Sequence, residues 1–531
     1  MHKTNMKKYI VALVALVMTN IAVAQHDANF NKIKRTYTVN DDGTVEYNYR
    51  KELKLISLRS FFSVYGETFI VYNPDFQSLR INESYTVRKD GSRVTTPNNA
   101  FVEQLPSTCT NCERYSRMKE MVVVHTALEY GATIVLDYTI TSNTNNLSET
   151  ITLAESTPVT DYEVIVKLAG GQKLYHELKN SELKPIITNN TYKWQFKNLP
   201  QTSGEYYLPA AEDLYPTLCF TTKNHTSNDL TVEVSELKNA DKLLLELTVA
   251  GDKMKTAMAI QDYVVKYVNH NNVPMTLNNN NVSSSEVTFA SSCGNNVEKA
   301  VLLRDLLRKA GYLAELNVPI IPHKCGREEF GMIAENSISV KANIEGKEYD
   351  LYMDGTKKLH GQKPSPRVVD VVVRDMKWDS KANEISAKSN KYIINGVEQN
   401  GTKVKFDIKE IQKGCYTVDI TAVKGGMNVL PMYLTGKRTQ PLYCGKTNES
   451  YDYTIVMPSG MHYVGKNMML SYEKPFGSIQ IQIEQKGNVL EIKRKLKITK
   501  DMIKPADYEA FRAMMVDWNN SNYTNLMFKK N

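Results

Sequence analysis

Along most of this chain apolar residues return at every second position, and in three stretches they return at every third or fourth. The alternating runs, bounded by turn residues, predict strands from about residue 30 to 235 and again from 368 to 530. In the first block, Tyr37–Tyr49 reads as two strands around Asp42-Gly43. Glu67–Tyr72, Leu79–Val87 and Arg93–Thr96 follow, and Met121–His125 is expected to pair with Ala132–Ile140 across a corner. His125 alternates within an apolar strand and reads as a satisfied structural histidine. In the second block, Val368–Arg374, Lys403–Ile408, Cys415–Thr421, Glu449–Met457, Ser478–Glu484 and Val489–Ile498 are strands. Their spacing suggests a β-sandwich in each block, with one wet face per sheet in the second.

The three helical stretches are 252–268, 295–310 and 503–516. In the first, Met254, Ala257, Met258, Val264, Val265 and Val268 face inward. In the third, Pro505 starts a helix that carries Tyr508, Phe511, Met514 and Met515 on one side. The central stretch, Ser291–Gly311, has the grammar of a helix launched from a tight turn. Gly294 supplies the turn, Asn295 caps the first turn, and Glu298 reaches back to complete a capping box. Ala300, Leu303, Leu307 and Ala310 form a face that Val301, Leu302 and Leu306 widen, as in a helix buried among neighbours. Gly311 is a left-handed cap, and Tyr312–Ile321 reads as the strand that follows. Beyond it, Ser337–Ile344 alternates, Glu345-Gly346 turns, and Lys347–Asp354 returns as a hairpin.

Composition narrows the setting. Residues 1–24 combine Lys7-Lys8, an apolar run from Tyr9 to Ile21 and an Ala22-Val23-Ala24 cleavage site, which is an export signal. A periplasmic or extracellular location is expected, with no membrane span. The +8 formal charge is dispersed along the chain, and no basic run interleaves with aromatics, which argues against a nucleic-acid partner. Thirty-one tyrosines suit a β-rich protein. The seven cysteines are odd in number. Cys109 and Cys112 have redox-motif spacing but no following helix, so a local loop-closing disulfide is expected there, and Cys415 with Cys444 is a second candidate pair. No second ligand pair is spaced for zinc, and neither a metal nor a cofactor is expected.

The segment around Gly294, Glu298, Lys299, Ala300, Ala310 and Gly311 resembles the nucleophile helix of transglutaminase-like, papain-related proteins. In the same way, Tyr72–Phe76, Asp90-Gly91 and Leu128–Ile140 resemble the β domain that precedes such domains in bacterial exported proteins. The closing Pro505, Tyr508 and Phe511 resemble their C-terminal domain. The resemblance implies an α+β multidomain chain. Its parts would be a signal at 1–24, an N-terminal β-sandwich-like domain at 25–235, a transglutaminase-like domain at 240–365, and a C-terminal β-sandwich with closing helix at 368–531.

The resemblance also locates a triad, and here the chain departs from it. Asn296 stands where the catalytic cysteine is expected and Asn336 where the histidine is expected, while Asp354 keeps the aspartate. The chemistry requires a thiolate nucleophile and an imidazole that accepts and returns its proton. An amide supplies neither. The expectation is therefore an inactive transglutaminase-like protein that binds or scaffolds, with a protein or peptide partner favoured over a glycan. The alternative is an active thiol protease or amide-transfer enzyme using Cys293 with His323, both expected in loops.

Overall fold

The protein is seen in a computed structural model, which describes residues 26–531 except 62–64, 111, 145, 227, 234–235, 362–366, 380, 389, 396, 399–402, 421–425 and 428–435. The expected export signal lies outside the described residues. The chain is mostly β and forms two compact units. Residues up to Thr202 join Tyr215–His360 in the first, and Ser203–Leu214 join Gly361–Asn531 in the second.

An eight-stranded sheet frames the first unit. In spatial order its strands are Ile186–Thr188, Thr191–Leu199, Val159–Lys167, Ala28–Val39, Val45–Leu55, Thr133–Ser142, Gln77–Val87 and Arg93–Thr95. One face carries Tyr37, Leu53 and Ile134, which share a core with Ile151, Leu218 and Phe220 of a three-stranded sheet. Leu136 and Ile140, on that same face, pack with Ile70 and Val123 of a second three-stranded sheet. The opposite face is polar, with Arg50 paired to Glu83 at 2.9 Å. A one-sided apolar pattern of this kind is what strict alternation specifies.

Alternation does not name a strand's partner, and one expected pairing is corrected here. Lys119–Val124 lies between Glu67–Tyr72 and Phe101–Gln104, whereas Thr133–Ser142 lies between Val45–Leu55 and Gln77–Val87. His125 follows the first of these strands. It is buried, its Nε2 sits 2.8 Å from the Thr68 hydroxyl, and burial next to Lys51 pushes its pKa down to about 3. The expected satisfied histidine is only half realised, since its Nδ1 is buried without a hydrogen-bond partner among the described residues.

Two long helices and a four-stranded sheet form a further part of the first unit. Helix α1 spans Lys253–Tyr267 and helix α2 spans Asn296–Lys309. The sheet runs Leu313–Asn317, Ser339–Ile344, Lys347–Tyr352, Lys357–Leu359. Ala257, Ile260 and Val264 of α1, Leu303, Leu306 and Leu307 of α2, and Val340, Ala342 and Leu351 of the sheet form one core. The single strand expected over Tyr312–Ile321 is broken near Pro319. Leu313–Asn317 stays in the sheet, and Ile320–Cys325 leaves to pair with Glu328–Ile333. Proline lacks the N–H that a continuous ladder would need.

In the second unit one large sheet replaces the expected two-sheet sandwich. Twelve strands belong to it, and helix α3, Pro505–Trp518, packs Tyr508, Phe511, Met514, Met515 and Trp518 into the core formed with Tyr451, Ile481 and Ile492. The helix therefore covers apolar side chains that a second sheet would otherwise bury. Cys415 and Cys444 are both buried and both free, which corrects their expected pairing. They lie on different strand pairs: Cys415 joins the strand beside Asn525–Lys530, and Cys444 follows a strand paired with Met502–Ile503. Among the described residues no helix is long and apolar enough to cross a membrane.

Candidate functional site

The start of α2 is built by polar groups that the sequence places within four residues. Asn295 Oδ1 accepts from the N–H groups of Val297 and Glu298, both at 3.0 Å. Glu298 Oε2 accepts from the Asn295 N–H at 3.0 Å, closing the capping box. Gly294 permits this approach: a Cβ there would lie 3.0 Å from Glu298 Cβ and 3.0 Å from Thr288 Cγ2. The second Glu298 oxygen has a partner from the N-terminal β region, since Tyr115 donates its hydroxyl to Oε1 at 2.7 Å. The Tyr115 phenol is held well above its ordinary pKa, by burial first and then by the Glu298 carboxylate.

Lys299 is buried as well, and its Nζ donates to the carbonyls of Val265 at 3.3 Å and Val268 at 2.9 Å. These are carbonyls at the C-terminal end of α1, where a cation meets both unsatisfied acceptors and the negative end of the helix dipole. Burial lowers the Lys299 pKa. Glu298 and Lys299 therefore fix α2 at its two sides, one to the β region and one to α1. Neither role was legible in the sequence, because both partners are distant along the chain.

Of the three positions that the resemblance singles out, two lie together. Asn296, half-buried at the first position of α2, donates Nδ2 to Oδ1 of Asn336 at 3.4 Å. Asn336 lies in a single 3-10 turn, Glu335–Ser337, just before the strand Ser339–Ile344. That turn is anchored by Glu335, whose Oε2 accepts from the Met275 N–H at 3.1 Å. Asp354 is not turned toward them. Its carboxylate accepts from the N–H and hydroxyl of Thr356 at 2.8 and 2.7 Å, capping the turn that follows its own strand. A histidine–carboxylate contact at this hairpin joins His360 Nδ1 to the buried Asp350 at 2.9 Å.

The structure does not assemble the alternative pair, Cys293 and His323. Cys293 is not a thiol: its sulfur is bonded to Cys112, 181 residues away. This also corrects the expected Cys109–Cys112 bridge, and Cys109 is left as a buried free thiol. Local spacing favoured the short loop, whereas folding brings the Cys112 segment against the entry to α2. Asn271 Nδ2 faces both bonded sulfurs, at 3.5 and 3.7 Å. His323 lies on the strand Ile320–Cys325, not in a loop. Its Nδ1 is 2.8 Å from Glu177 Oε2, and its ring stacks on Phe330 at 5.1 Å.

Chemically, the start of α2 therefore presents two carboxamides, each with donors and an acceptor. It has neither a thiolate nor an imidazole at those two positions. Among the described residues no group of three or more His, Cys, Asp or Glu is placed to hold a metal.

Comparison with known proteins gives the following matches. Residues 41–203 match a domain family of unknown function, DUF3857, and residues 425–528 match a second, DUF3858. No curated protein matches the chain. A crystal structure described as a "putative protease" from Parabacteroides distasonis is 26% identical, with a TM-score of 0.72 over 95% of this chain and 99% of that one. An M1 zinc metallopeptidase from Deinococcus radiodurans aligns at 10% identity over 54% of this chain and 64% of its own, with a TM-score of 0.19, a likeness that carries no argument.

Proposed function

We propose that residues 240–365 form a transglutaminase-like domain that has lost its chemistry and kept its groove, and that this groove binds an extended peptide without cutting it. The observation that carries the reading is the Asn296–Asn336 contact at 3.4 Å at the N-terminus of a buried, capping-box helix. Those two positions would hold the nucleophile and the base, and amides there can bond a peptide backbone but cannot attack it. The likeness to a structure described as a "putative protease" is consistent with a hydrolase scaffold. The reading extends to the whole chain as an exported binding or scaffolding protein of the periplasm or extracellular space, with β-rich segments before and after residues 240–365 in the sequence.

The test is retention of a random peptide library on the immobilised mature protein, with mass-spectrometric readout of bound and cleaved species. Peptides should be retained intact, and Asn296→Ala should lower retention several-fold. Retention unchanged by Asn296→Ala would place the binding elsewhere and defeat the groove reading. Thiol catalysis through Cys293 is disfavoured by the oxidised state of that sulfur.

A further inference from the structure

We propose that Cys109, Cys112 and Cys293 form a thiol–disulfide exchange site in which Cys112 alternates between two partners. Cys112 is bonded to Cys293, with Cα atoms 5.4 Å apart. Cys109 keeps its thiol and belongs to the same buried cluster as both bonded cysteines, together with Tyr115, Met118 and Val273. The Cys112 N–H donates to the Cys109 carbonyl at 3.1 Å, which closes a four-residue turn. Such turns hold their first and fourth Cα atoms within about 7 Å, and a disulfide bridges Cα atoms about 4.4–6.8 Å apart. Cys112 thus has one partner bonded across 181 residues and a second within reach across its own turn.

The exchange needs no outside oxidant or reductant. Cys109 gives up its proton, and its thiolate attacks the Cys112 sulfur. The Cys109–Cys112 bond forms, the Cys112–Cys293 bond breaks, and Cys293 departs as a thiolate that takes up a proton. One disulfide and one thiol stand on each side. Asn271 Nδ2, 3.7 Å from the Cys293 sulfur, faces the group that leaves. Burial raises the Cys109 pKa, which holds the resting pairing in place until local opening lets the thiol ionise. The consequence is mechanical. In the resting form the β region is covalently clamped one residue before Gly294. After exchange, hydrogen bonds such as Tyr115 to Glu298 must hold that junction without the bond. The inference is independent of the peptide-binding reading.

Two experiments test it on the mature chain. The wild-type protein is held folded without added thiol, sampled over days, quenched in acid, denatured, labelled with a maleimide and mapped by mass spectrometry. Among the three cysteines, label should begin on Cys109 alone. A growing fraction should then carry label on Cys293 with Cys109 linked to Cys112, and this fraction should be absent in Cys109→Ser. Separately, Cys293→Ser is checked for native near-ultraviolet circular dichroism and exposed to oxidised glutathione, which should close Cys109–Cys112 in nearly all molecules. Label that never leaves Cys109 in the wild type overturns the proposal. So does a folded Cys293→Ser in which Cys109 and Cys112 stay open or take up glutathione singly. If that variant does not fold, the wild-type mapping decides alone.

Discussion

Glu298 offers the most informative perturbation, because its two oxygens serve different parts of the first unit. Glu298→Ala removes the reciprocal half of the capping box and strips the buried Tyr115 hydroxyl of its acceptor. Loss of a cap costs about 1 kcal/mol. A hydrogen bond to a charged acceptor contributes about 1.5–3 kcal/mol. The side chain is only 1% exposed, so water does not readily replace either bond. The two terms together give about 3 kcal/mol, large for a single substitution. Tyr115→Phe deletes the second term only and should cost about 1.5–2 kcal/mol. Because both variants lose the same bond, the double variant should be less destabilised than the sum by about 1.5 kcal/mol or more. Urea unfolding monitored by tryptophan fluorescence and far-ultraviolet circular dichroism, with the slope held constant across variants, measures these differences. A Glu298→Ala cost below about 0.5 kcal/mol, or strict additivity of the two substitutions, would show that α2 is not tied to the β region through this carboxylate.

Other outcomes follow from the same contacts. Gly294→Ala places a methyl group 3.0 Å from two side-chain carbons and should cost about 1–3 kcal/mol by overpacking; an unchanged urea midpoint would contradict this close approach. Cys112→Ser opens a covalent loop spanning 181 residues and should destabilise the first unit by about 2–4 kcal/mol, read as a lower urea midpoint under non-reducing conditions. His125 titrates near 3 when folded and near 6.5 when unfolded. Between those values the unfolded chain binds the extra proton, so the histidine's contribution is fully present above about pH 6.5 and is lost as pH falls toward 3. The loss approaches ~5 kcal/mol, and His125→Gln should flatten the fall of the midpoint between pH 7 and 4 relative to wild type. An identical slope in the variant would mean that His125 is not held neutral.

Local signals in the chain carried the elements well and their partners poorly. The α2 helix, its Asn295–Glu298 capping box and the left-handed Gly311 follow from residues within one or two turns of each other, and all three are present. The same holds for the hairpin turning at Glu345-Gly346 and for Pro505 at the start of α3. The resemblance singled out Asn296 and, to within one residue, Asn336, and the side chains of these two lie 3.4 Å apart. What failed required distant information. The Cys112–Cys293 bond competed with a local pairing that spacing alone made attractive, and neither apolar cysteine signals its partner. His323 moved from an expected loop to a strand because Pro319 divides a run of apolar residues whose alternation looked continuous. In the second unit the six expected strands are present, but six more join the same sheet, Met468–Lys474 and Asn525–Lys530 among them, and alternation is the same whether a sheet is covered by another sheet or by helix α3.

The most direct test of the central claim is to incubate the mature, unreduced protein with the peptide library and measure by mass spectrometry whether any peptide is cut or cross-linked. Peptides should be retained and recovered intact, with retention depending on Asn296. Turnover of any peptide that disappears in Cys293→Ser would contradict it and identify the chain as a thiol enzyme.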